Sequence, residues 1–252
     1  MLSGCSDEAT VVAVEVLRAD GISLFDSEPS ALLRVSIHRG SGLPEVFQAT
    51  QASDVRRWEM SLSPRTPLIV TAEWFSDTMR LLGASPEFRS SEAHSGVRVI
   101  LAPPASCETL TDPQLSVPRL KAGFARVGNT AVVVGGEPAG EKAAVEFIDL
   151  VSMKKYEFVD VLDKHLGPSH IVVVDYQLML VVSENEPTFL YDVSGPGILP
   201  THSDLGALTV PAQAEHLELQ PNVRLELVGN QEEVLSNAVK LCVPERFTLE
   251  GT

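Results

Sequence analysis

Between residues 11 and 102 apolar and polar positions alternate with a period of two. Val12, Val14 and Val16 stand around Glu15, and Leu33, Val35 and Ile37 are interleaved with Arg34, Ser36 and His38. Trp58, Met60 and Leu62 alternate with Arg57, Glu59 and Ser61, while Leu68, Val70, Ala72 and Trp74 alternate with Ile69, Thr71 and Glu73. Val97, Val99 and Leu101 complete the series, with weaker runs at Glu45 to Thr50 and Met79 to Gly83. In an extended chain successive side chains point to opposite faces, so this spacing predicts strands with one side in a core and the other in water.

These runs amount to about seven short strands, separated by turn signals such as Arg39-Gly40-Ser41-Gly42 and Ser63-Pro64-Arg65. Many short strands at that density predict an all-β domain over residues 11–104, which resembles an immunoglobulin-like β-sandwich in architecture. The Cys-Trp-Cys spacing of antibody domains is absent. Both tryptophans fall on the apolar side of the alternation and are expected in the core.

The second half repeats itself. FARVGNTAVVVGG (124–136) is echoed by IVVVDYQLMLVVSE (171–184) and by LELQPNVRLELVGN (217–230), each reading as strand, polar turn, strand. Aligning Gly136 with Glu184 and then Asn230 gives spacings of 48 and 46 residues. A further apolar strand follows each copy: VEFIDL (145–150), TFLYDV (188–193) and AVKLCV (238–243). Residues 151–166 are expected to form a short helix or a connection between units, and 194–213, rich in proline and glycine, a long loop.

A repeat of consecutive short strands near 47 residues lies in the range of propeller blades. The first copy resembles a kelch repeat. Pro118-Arg119 leads in, an apolar strand ends in the diglycine Gly135-Gly136, and Ile148-Asp149-Leu150 ends the next strand. The resemblance implies a partial or degenerate kelch-like propeller over residues 105–252, with Gly135 and Gly136 as blade-turn glycines. The later copies carry Ser183-Glu184 and Gly229-Asn230 in place of the diglycine, and the kelch tyrosine and tryptophan pair has no counterpart. Three units are fewer than the four or more of a closed propeller. Further repeats, blades from a second chain, or an open arrangement would each account for that.

The 252 residues carry a formal charge of −15, which sets the mean field against nucleic-acid phosphates and anionic lipid headgroups. Residues 1–104 hold 13 acids and 9 arginines, whereas residues 105–252 hold 21 acids, 10 bases and every one of the six lysines. The shift falls at Pro103-Pro104, as expected of a domain boundary. No stretch is long and apolar enough for a membrane-spanning helix. Leu2-Ser3-Gly4-Cys5 resembles the lipobox of bacterial lipoproteins, in which the cysteine receives diacylglycerol and becomes the mature N-terminus. The charged and apolar regions of a signal peptide do not precede it. The resemblance implies lipidation of Cys5, residues 1–10 as lipobox and tether, and a place in the bacterial cell envelope, at the outer membrane or in the periplasm. Cys107 and Cys242 are then an even pair, 135 residues apart. In an exported protein they could be bridged; two buried free thiols are the other reading.

Specific chemical signatures are few. GGEPAGEK (135–142) displaces the lysine of a phosphate-binding loop, puts Glu137 where phosphate would lie and Pro138 where a backbone donor is needed. Zinc-protease, nucleophile-elbow, dinucleotide-binding and EF-hand motifs do not occur. The six histidines are scattered; His165 and His170 are five apart without an evident third ligand. Glu184-Asn185-Glu186 would need a third oxygen donor from another loop to hold calcium. The expectation is therefore a non-catalytic envelope lipoprotein, without cofactor or metal, that binds a protein or glycan or serves as a scaffold. Its partners would include no nucleic acid, the membrane only through the lipid on Cys5, and a second copy if one completes a propeller. The alternative is a carbohydrate-active, sialidase-like enzyme with its site on loops of the repeat domain.

Overall fold

A computed structural model describes residues 10–22, 24, 26, 30–40, 44–50, 57–62, 66–137, 145–158, 168–175, 177–183, 188–192, 202–204, 216–232 and 234–247. The fold is all-β. Seven strands come first: β1 (Thr10–Arg18), β2 (Leu32–Arg39), β3 (Glu45–Thr50), β4 (Arg57–Leu62), β5 (Leu68–Phe75), β6 (Arg80–Ala84) and β7 (Val97–Leu101). Twelve follow: β8 (Cys107–Thr109), β9 (Gly123–Val127), β10 (Thr130–Val134), β11 (Val145–Asp149), β12 (Lys154–Phe158), β13 (Ser169–Val173), β14 (Leu178–Ser183), β15 (Phe189–Asp192), β16 (His202–Asp204), β17 (His216–Gln220), β18 (Val223–Leu227) and β19 (Val239–Cys242). A single helical turn, α1 (Val228–Gln231), lies between the last two. No helix among the described residues is long and apolar enough to cross a membrane.

The seven leading strands make two sheets, β4-β1-β7 and β3-β2-β5-β6. β1 runs antiparallel to β4, Val14 opposite Trp58, and parallel to β7, Val14 opposite Val97. In the second sheet Val35 pairs with Phe47 of β3 and Ala72 of β5, so the apolar series of β2 and β5 share a face. The apolar positions of these series whose side chains are described lie in the core. Val12, Val14, Val16, Leu33, Val35, Ile37, Leu68, Val70, Ala72, Trp74, Val97, Val99 and Leu101 are all buried. Each large side chain removed from water contributes about 1.5–3 kcal/mol. Trp74 is thus a core residue; the Trp58 side chain lies outside the described part. On the outward face Arg34 and Arg80 share Glu73 at 3.4 and 3.1 Å, and the Arg34 guanidinium lies 5.6 Å from the centroid of Phe75. Such exposed pairs contribute about 0–1 kcal/mol each and mainly keep this face polar.

The remaining strands make three sheets of four: β12-β11-β10-β9, β13-β14-β15-β16 and β17-β18-β19-β8. The three repeated segments supply β9–β10, β13–β14 and β17–β18, and the apolar runs after them supply β11, β15 and β19. Residues 154–158, expected in a helix or connection, are instead the edge strand β12, paired with β11 from Val145–Phe158 to Asp149–Lys154. A strand at a sheet edge needs a partner on one side only and tolerates lysine there, so its polar sequence carries no clear period. Residues 202–204 of the expected long loop likewise pair with β15 as β16. Among the described residues none of the five sheets closes on itself.

The first two of these three sheets share a core. Val127, Val132, Val134, Val145 and Phe147 pack with Met179, Val181 and Tyr191, and Tyr156 and Ile171 border them. β10 and β11 are buried at nearly every position, which is why Ala131 to Val134 reads as a continuous apolar run with no alternation. The third sheet draws its strands from far apart in the chain. Leu110 N donates to Val239 O at 2.8 Å and Val243 N to Ser106 O at 3.0 Å, so β8 lies antiparallel to β19. The chain contacts define two compact units, one of residues 1–108, 219–223 and 242–252, the other of 109–218 and 224–241. Within the first, Gln220 Nε2 donates to Ser85 O at 3.1 Å, tying the β17–β18 turn to the leading sheets.

Burial holds the pKa of His38, whose Nε2 lies 3.1 Å from Thr71 Oγ1, below the usual 6.5, and does the same to His170. A depressed pKa favours the neutral ring in the folded state. Stability from this source is therefore full above pH 6.5 and is lost as pH falls through the folded pKa values. We expect His38→Gln to reduce the loss of thermal stability between pH 7.5 and 5.5; an unchanged pH slope would contradict this.

Candidate functional site

A buried polar cluster lies around β11. In Val145-Glu146-Phe147-Ile148-Asp149 the odd positions 145 and 147 face the core shared with the second sheet, which turns Glu146 to the opposite side. That side is also buried, because β10 places Val133 opposite Glu146 and Ala131 opposite Ile148, and both valine and alanine are fully covered. A carboxylate in such a place requires donors. Arg119 Nη2 donates to Glu146 Oε1 at 2.9 Å, and Ser116 N donates to Oε2 at 2.7 Å. Lys155 Nζ stands 3.6 Å from Oε2 and donates to Ser116 Oγ at 2.7 Å. The side chains of Glu146 and Arg119 are 0% and 4% exposed, so this pair is taken out of water, while Lys155 on the edge strand keeps its ammonium at the surface.

The other arm of Arg119 explains the diglycine. Its Nη1 donates to Gly135 O at 2.7 Å. Gly135 and Gly136 have φ of +65° and +102°, in the region that glycine adopts without the cost a Cβ imposes. A Cβ on Gly136 would also meet Leu120 O at 3.1 Å. The chain thus leaves β10 through a left-handed turn that presents a carbonyl to the buried guanidinium. The backbone around Arg119 is held as well: Arg119 N donates to Ser236 O at 2.8 Å, and Leu120 and Glu137 exchange both backbone hydrogen bonds.

Two residues of α1 complete the surroundings. Asn230, the position aligned with Gly136, accepts from Ala122 N at 3.1 Å and donates to Ala122 O at 2.7 Å. Gly229 faces Arg119 so closely that a Cβ would lie 1.9 Å from Arg119 O. We expect Gly229→Ala to destabilise the protein by about 1–3 kcal/mol through overpacking, read as a lower urea midpoint with an unchanged m-value. An unshifted midpoint would show that the backbone yields here at no cost.

Chemically the cluster is an internal strut. Both oxygens of Glu146 are engaged by protein donors, and Arg119 spans the carboxylate and a backbone carbonyl. Asp149 is used in the same way, its two oxygens accepting from Val151 N at 3.0 Å and Ser152 Oγ at 2.6 Å to close the β11–β12 turn. Sequence reasoning missed Glu146 and Asn230. A single glutamate inside an apolar strand looks like an ordinary outward residue, and the aligned asparagine looks like a turn residue.

The other residues singled out from sequence are dispersed. Cys107 on β8 and Cys242 on β19 form a disulfide with Cα atoms 4.0 Å apart. Their sulfurs are therefore not available as metal-binding thiolates. Cys5 and the rest of the lipobox lie outside the described residues, as do His165 and Glu184-Asn185-Glu186. His170 is on β13 and half-buried; His94 and His216 are exposed. No family model, curated protein or solved structure matches this chain.

Proposed function

We propose that the chain is a lipid-anchored protein of the bacterial cell envelope that binds, or scaffolds, an envelope protein or glycan. The observation that carries the reading is Leu2-Ser3-Gly4-Cys5, where a large apolar residue and two small ones precede the cysteine. The Cys107–Cys242 bond supports it, since disulfides persist in oxidising compartments and are rare where thiols are kept reduced. The charge of −15 supports contact with the membrane through the lipid, because the protein surface itself repels anionic headgroups. In this reading the two leading sheets are an immunoglobulin-like sandwich, and the three four-stranded sheets are kelch-like units offering loops for recognition. A propeller ring of the usual size would then take further units from a second copy.

The anchor is tested by mass spectrometry of the protein from native membranes. A diacylated Cys5 with nothing before it is expected; an unmodified peptide spanning residues 1 to 5 would refute it. The binding role is tested by affinity capture from cell envelopes. Failure to recover a partner, with abundant protein in the cytoplasm, would overturn the proposal.

A further inference from the structure

We draw no further inference here: the strongest candidate, the exposed apolar patch of Val117, Val234 and Leu235 where residues 115–119 run beside 236–237, carries nothing because nothing in the structure shows what covers it.

Discussion

Replacing Cys107 and Cys242 together by serine lowers the free energy of unfolding by about 4–5 kcal/mol. The bond closes a loop of 135 residues, and a covalent tie across so long a segment removes many conformations from the unfolded chain. In the folded state β8 and β19 are neighbours with backbone hydrogen bonds on both sides of the pair, so the fold already holds these cysteines together. The unfolded state therefore bears most of the change. A loss of this size is a large part of the roughly 5–15 kcal/mol by which domains are stable. Guanidinium titration of the double variant, and of the native protein with its disulfide reduced, should give the same lowered midpoint. A loss below about 1 kcal/mol would mean that the reduced chain is already restricted, and that the loop-closure account is wrong.

The second large effect is expected at the buried ion pair. Arg119→Met takes the guanidinium from the buried Glu146, which keeps Ser116 N and Lys155 beside its other oxygen, and Glu146→Leu takes the carboxylate from the buried Arg119, which keeps Gly135 O. Each costs about 3–5 kcal/mol, because the charge that remains is buried and has lost the counter-charge that stood 2.9 Å from it. The double variant should cost clearly less than the two single losses added, since apolar side chains of similar volume need no partner there. Lys155 keeps Ser116 Oγ and its access to water in every case. Additive losses would show that Arg119 acts mainly through Gly135 O and the packing of its stem, rather than through Glu146.

These expectations rest on features of unequal visibility in the chain. Most of the leading strands follow from alternation, because the period of two is a local property of extended backbone and water contact on one face preserves it, while β3 and β6 are marked only by weaker runs. Val12, Val14 and Val16 lie inward for the same reason that Leu33, Val35 and Ile37 do. The repeated segments are similarly plain: each joins two strands through a short polar turn, as at Gly128-Asn129 and at Pro221-Asn222, where Asn222 has φ of +64°. By contrast β12 escapes notice, since an edge strand with two lysines has neither an apolar run nor a strict period.

The amino-acid order by itself determined that this protein is built of short strands, where most of them run, and that one pattern recurs three times in its second half. Tertiary structure alone decided which strands share a sheet. It brought residues 107–109 beside 239–242, placed the two cysteines in bonding distance and turned Glu146 toward Arg119. The physical reason is range. Alternation reflects each residue's own exposure and can be read from its neighbours, whereas strand partnership and the pairing of a buried charge depend on groups tens to hundreds of residues away.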